Sequence, residues 1–105
     1  MNEPINLVII DGTLRGAWDE RFDGRGEPVI YSQLHFDQNN KDCYFDITIL
    51  GPAAKQWLGR RPKNIRMHCV GRLAVQFRKL HPAEKYSPSI SSLVVEITEM
   101  EAIRD

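Results

Sequence analysis

The sequence predicts an all-β chain with one short helix, and three observations carry that prediction. Apolar and polar residues alternate with a period of two along several stretches, as in residues 43–50, CYFDITIL. Val, Ile, Thr and aromatic residues dominate those stretches, and clusters of Gly, Pro, Asn and Asp separate them. Helical spacing replaces the alternation at one place only, after Gly51-Pro52.

Taken in order, residues 6–14 (NLVIIDGTL) are apolar and β-branched and read as a first strand, with Gly12 marking a bulge or bend inside it. Residues 16–27 (GAWDERFDGRGE) combine turn formers with charge and read as a loop. Residues 29–36 (VIYSQLHF) form a second strand, with Ile30, Leu34 and Phe36 on one side and Tyr31, Gln33 and His35 on the other. Residues 37–42 (DQNNKD) connect it to the third strand as a hairpin, the Asn pair being the turn signal. In that third strand, residues 43–50, Phe45, Ile47 and Ile49 alternate against Tyr44, Asp46 and Thr48.

Pro52 suits the first turn of a helix, Ala53, Ala54, Trp57 and Leu58 follow at helical spacing, and Gly59 suits its end. That makes a helix of about two turns. Residues 64–78 read as a long fourth strand. Ile65, Met67, Cys69, Leu73, Val75 and Phe77 face one way; Arg66, His68, Val70, Arg72, Ala74, Gln76 and Arg78 face the other. Gly71 interrupts it as Gly12 interrupts the first. Residues 79–91 contain Pro82 and Pro88 and read as a loop, and Leu93, Val95 and Ile97 close the chain as a fifth strand. The order β-β-β-α-β-β, with glycines inside two long strands, is the plan of the five-stranded OB-fold Greek-key barrel, its helix between strands 3 and 4.

A chain of 105 residues, 42% hydrophobic, without repeats or low-complexity linkers, suits one domain with its own core. It has no apolar run of membrane-spanning length and no signal-peptide core, and two cysteines do not make a disulfide framework. A cytoplasmic protein without a membrane partner is expected. The charge balance of 14 bases against 14 acids argues at first against a polyanion. Its distribution argues otherwise. Residues 1–46 hold nine acids and four bases, and residues 84–105 hold five acids and two bases. Between them, residues 47–83 hold eight bases and no acid. That block is either a solvated surface or a basic patch for nucleic acid.

Several stretches resemble bacterial single-stranded DNA-binding proteins. They are Asn6 to Leu14, Gly26 leading into strand 2, Tyr44 to Ala54, Trp57-Leu58, and IRMHCVGRL from Ile65 to Leu73. The resemblance covers about residues 6–78 in register. It implies an OB-fold that binds single-stranded DNA (or RNA) without catalysis in replication, replication restart, repair or recombination, as a homodimer or homotetramer and with replication proteins as further partners. Family members usually carry a Gly/Pro-rich extension and an acidic tip, whereas this chain stops at Asp105, just past strand 5. It is similar in this to the short primosomal replication protein B branch. The chain also has fewer rings at the family's stacking positions.

Single-strand binding needs rings for bases to stack on and cations to follow phosphates. Tyr44 lies on the outward face of strand 3, where the resemblance places a stacking ring; its other reading is a cross-strand partner for Tyr31 or His35. Family stacking positions also fall near His35 and on Arg78, whose guanidinium can lie on a base. Arg66, Arg72, Gln76 and Arg78 share the outward face of strand 4, and no acid in their segment neutralises them. Lys79, His81, Lys85 and Tyr86 form a basic loop with a ring, either a clamp on the strand or an ordinary surface loop. Trp18 and Phe22 stack bases, pack over the barrel end or meet another subunit, three readings that sequence leaves open. Trp57 belongs to the helix's apolar stripe and reads as core. A protein–protein module on the same fold is the competing reading.

No signature of catalysis or of a cofactor emerges. His68 and Cys69 point to opposite faces of a strand and cannot share a metal ion. Neither cysteine has a base placed by sequence to activate it, no glycine-rich phosphate loop occurs, and the carboxylates are scattered.

Overall fold

The computed structural model describes residues 4–79, 83 and 85–104, with the backbone alone at Arg78 and Lys79. The strands are β1 (Val8–Phe22), β2 (Pro28–Gln38), β3 (Lys41–Ile49), β4 (Ile65–Lys79) and β5 (Ser89–Ala102), with the helix α1 (Gly51–Trp57) between β3 and β4. They close into a barrel in the order β1-β2-β3-β5-β4. Only the β3–β5 pairing is parallel. This is the OB-fold plan expected from the order of elements. None of the described helices is long and apolar enough to cross a membrane.

Alternation sorts each strand as expected. Leu14, Ile30, Leu34, Ile47, Ile49, Met67, Cys69, Ile97 and Met100 fill the barrel and are almost inaccessible to solvent. Burying each of the larger ones stabilises the fold by roughly 1.5–3 kcal/mol. Burial also pushes the Cys69 thiol up to about 12, with the nearby Asp11 carboxylate adding to the effect. Cys69 is thus core, and His68 stands on the opposite, solvent face.

Seven residues are too few for an independent helix, so α1 depends on docking. Ala53, Ala54 and Trp57 enter the core, and the Trp57 indole N–H donates to the Met100 carbonyl at 3.0 Å. Trp57 is therefore a core residue with its polar atom satisfied.

Three boundaries differ from the sequence reading. The segment 16–27 does not leave the sheet at Gly16: β1 runs on to Phe22, pairing Trp18 with Ser32 and Phe22 with Pro28. Gly16, at φ +116°, sits in the register shift between Leu14 and Trp18, and the Ser32 hydroxyl bonds the Ala17 carbonyl there. A bulge thus absorbs the glycine and lets a charged segment continue as strand. The actual turn lies at residues 23–27. The Asp23 carboxylate accepts the backbone N–H of Glu27 at 3.0 Å and of Arg25 at 2.8 Å, and these bonds hold its pKa below the ordinary aspartate value. β2 and β3 also approach their turn more closely than expected, pairing Gln38 with Lys41 around Asn39 and Asn40, both at positive φ. At the other end, β5 begins at Ser89, inside the segment read as a loop.

β4 pairs with β1 only as far as Gly71. Beyond it, β4 pairs on with β5, Arg72 with Glu96 and Leu73 with Val95 where β5 still meets β3, then as a two-stranded ribbon from Ala74 with Val94 to Lys79 with Ser89. Leu73, Val75, Phe77 and Leu93 lie on one face of this β4–β5 stretch and are exposed, Phe77 by 74%. Their parity reads as core, but the barrel ends before reaching them. Gly71 marks the transition. A Cβ there would fall on the Glu96 carbonyl oxygen, so only glycine permits this approach of β4 to β5.

Candidate nucleic-acid interface

The strand registers define two rows of residues across the outside of the barrel. In the first, Arg66 on β4 lies opposite Thr13 on β1, Thr13 opposite His35 on β2, and His35 opposite Tyr44 on β3. In the second, Arg72 on β4 lies opposite Glu96 on β5, Glu96 beside Thr48 on β3, Thr48 opposite Tyr31 on β2, and Tyr31 opposite Asp19 on β1. Cross-strand neighbours in such rows are about 5 Å apart. Because the barrel is closed, the rows leave β4 in opposite directions and both cross the β2–β3 face, four residues apart along each strand with the Gln33–Asp46 rung between them. Arg66 and Arg72 both stand exposed on the outward face of β4, six residues apart with His68 and Val70 between them. They reach the β2–β3 face from opposite sides.

Tyr31, His35 and Tyr44 share that face, Tyr31 lying four residues, about 13 Å, from His35 along β2. The rings of Tyr44 and His35 stack with centroids 5.5 Å apart and planes inclined by 27°. Tyr44 nonetheless remains 63% exposed. Cross-strand packing and an open ring face therefore coexist at Tyr44. The His35 Nδ1 atom is buried without a hydrogen bond, 3.5 Å from the Asp42 carboxylate, which pairs with Arg15 at 3.0 Å. Gln76, on the ribbon, donates its side-chain N–H to the Thr48 hydroxyl at 3.2 Å. This contact draws the ribbon towards the β2–β3 face and covers Thr48, which is buried although it points outward.

Arg78 and Lys79 lie on the ribbon opposite Ile90 and Ser89, and their side chains fall outside the described residues, as does His81. Lys85 and Tyr86 are exposed in the connection beyond, with the ammonium 5.5 Å from the ring centroid. Phe22 is exposed at the end of β1. Trp18 sits elsewhere. It packs partly buried against the core, and its indole N–H donates to Glu20 at 3.0 Å. The same Glu20 carboxylate accepts the backbone N–H of Gly59 after α1, and the two bonds hold its pKa below the ordinary glutamate value. Of its three readings, packing against the barrel is the one that these contacts support.

The basic block is less free than the sequence implied. Acids distant in sequence lie beside it: Glu96 pairs with Arg72 at 2.8 Å and Glu27 with Lys55 at 3.2 Å. Arg60 lies over the Trp57 ring at 5.5 Å, at the opposite end of α1 from β3. Thr13, Arg15, Asp42 and Glu96 are face residues that sequence reasoning missed. Each enters through register or barrel closure, so alternation carried no signal for them.

A concavity of about 440 Å³ lies between α1 and the β4–β5 end of the barrel, with His68, Glu99 and Glu101 in its lining. It offers no Tyr, Phe or Trp ring to stack on and is flanked by the carboxylates of Glu99 and Glu101, so it is a poor place for a nucleic-acid strand. Among the described residues, no three His, Cys, Asp or Glu side chains converge as metal ligands would.

Comparison with known proteins gives no matching family model and no matching curated sequence. Solved structures do match. The single-stranded DNA-binding protein of Plasmodium falciparum, in complex with single-stranded DNA, superposes with a TM-score of 0.74 at 14% identity, covering 99% of this chain and 100% of that one. This chain has the fold of single-stranded DNA-binding proteins. The mitochondrial single-stranded DNA-binding protein of S. cerevisiae is similar to a comparable degree, with a TM-score of 0.72 at 9% identity, covering 98% and 99% of the two chains. The likeness thus spans the barrel, α1 and the β4–β5 ribbon.

Proposed function

We propose that this protein binds single-stranded DNA without catalysis, stacking bases on the β2–β3 face and contacting phosphates with the arginines that flank it. The observation that carries the reading is that both rows cross the β2–β3 face. Exposed Tyr44, stacked with His35 and sharing the face with Tyr31 further along β2, lies on a surface that Arg66 approaches through β1 and Arg72 through β5. Bases need rings and phosphates need cations, and this face offers both on a fold shared with proteins described as binding single-stranded DNA. A protein-docking role for this face is less favoured, since such a role does not call for flanking arginines.

The protein works in replication, replication restart, repair or recombination, in the cytoplasm, as a binding protein rather than an enzyme. A homodimer or homotetramer fits the reading, because one small barrel with few rings gains affinity from linked sites. The exposed apolar face of the ribbon supports such association, and replication proteins are its further expected partners.

Titration of fluorescently labelled oligo-dT at several salt concentrations tests the reading, with oligo-rU and duplex DNA as competitors. Binding at micromolar concentration or tighter is expected, with duplex disfavoured. If Arg66, Arg72, Arg78 and Lys79 each meet a phosphate, log K falls with log salt at a slope of about −3. No binding to any single strand at low salt refutes it.

A further inference from the structure

The row that begins at Arg72 contains a carboxylate where a nucleic-acid face would be expected to exclude one. Glu96 Oε1 accepts from Arg72 Nε at 2.8 Å. The Glu96 side chain is 20% exposed and that of Arg72 65% exposed, so the acid lies low in the sheet and the guanidinium stands open to solvent. The pair is held in register by the backbone. Arg72 follows Gly71, whose missing side chain admits the Glu96 carbonyl, so β4 cannot slip past β5 at this rung. On the far side of Glu96, Thr48 is buried beneath Gln76, which limits the directions in which the carboxylate can turn away.

We infer that Glu96 is a built-in competitor for Arg72, an internal anion that holds the guanidinium a DNA phosphate would use. This rests on the single-stranded DNA reading. A phosphate arriving at Arg72 must share it with a fixed negative charge a few ångströms away. Repulsion between the two anions lowers affinity most where salt screens least. The same arrangement recurs in the other row's neighbourhood, where Asp42 holds Arg15 beside His35. The consequence is a protein that releases single strands more readily than its arginines alone would allow. Glu96 therefore tunes affinity and salt response rather than recognising DNA itself.

The test is Glu96→Gln, which keeps an acceptor for Arg72 Nε and removes the charge. In labelled oligo-dT titrations near roughly 50 mM salt, binding is expected to tighten about fivefold, with the gain shrinking as salt rises. In an Arg72→Ala background the same change should yield little. Glu96→Ser serves as a second neutral variant should the amide disturb folding, which a thermal melt reports. Binding that is unchanged or weaker in both neutral variants overturns the inference, since Glu96 is then idle or orients Arg72 productively. An equal gain without Arg72 also overturns it, reducing the effect to net charge. If the parent protein does not bind oligo-dT at low salt, the single-stranded DNA reading itself falls, an outcome separate from the other two.

Discussion

Tyr44→Ala removes the most exposed ring of the β2–β3 face and separates stacking from electrostatics. The side chain is 63% exposed and contacts His35 on one side of its ring, leaving the other available to a base. Stacking one base on an aromatic ring is worth about 1–3 kcal/mol, so affinity for oligo-dT is expected to fall roughly 5- to 150-fold. Tyrosine carries no charge at neutral pH, so the dependence of log K on log salt should keep its slope. Stability should change little. The lost cross-strand contact is worth about 0.2–1 kcal/mol, or a few degrees in Tm for a protein of this size. Fluorescence anisotropy at four or five salt concentrations measures both quantities, and Tyr44→Phe, which keeps the ring, should bind nearly as the parent does. Should Tyr44→Ala bind within twofold of the parent across the salt series, the β2–β3 face is not where bases stack.

Two further outcomes follow from the barrel. Gly71→Ala places a methyl group on the Glu96 carbonyl, forcing β4 and β5 apart; a loss of about 1–3 kcal/mol in urea denaturation is expected, and an unchanged midpoint would show that the strands relax freely. For Cys69, burial pushes the folded thiol up to about 12 from the ordinary 9.0. Below pH 9 both folded and unfolded thiols are protonated and the group costs nothing; between about 9 and 12 only the unfolded chain ionises, so stability declines as pH rises. Cys69→Ala should flatten that decline, and a thiol reagent should label Cys69 only after denaturant is added. Rapid labelling of Cys69 in the folded protein would contradict its burial.

Legibility in the sequence followed the range of the interactions. The helix is readable because Pro52, Ala53, Ala54 and Trp57 form a local pattern, and the strands because alternation is local too. The continuation of β1 past Gly16 is not, since a bulge resets the alternation just where the charged residues begin. Leu73, Val75 and Phe77 mislead differently: their parity is right, but parity does not say where the barrel stops. The face divides along the same line. The outward direction of Tyr44 follows from its own strand, whereas the pairing of Thr13 with Arg66, or of Glu96 with Arg72, follows from how distant strands align. The carboxylate-free block likewise reads as uncompensated only while β5 is left out of view.

One contact at the start of the chain limits what the open ribbon can do. The Asn6 side-chain amide donates to the Leu73 carbonyl and accepts the Leu73 N–H, both at 2.9 Å. A side chain thereby stands in for one rung of a neighbouring strand at the point where β1 ends as the partner of β4. Without it, the bare backbone edge would begin at Leu73, directly beside the exposed apolar groups of the ribbon, and would present a longer template for another extended chain. Asn6 thus acts as a stopper on sheet growth, restricting edge-to-edge pairing to the far part of β4.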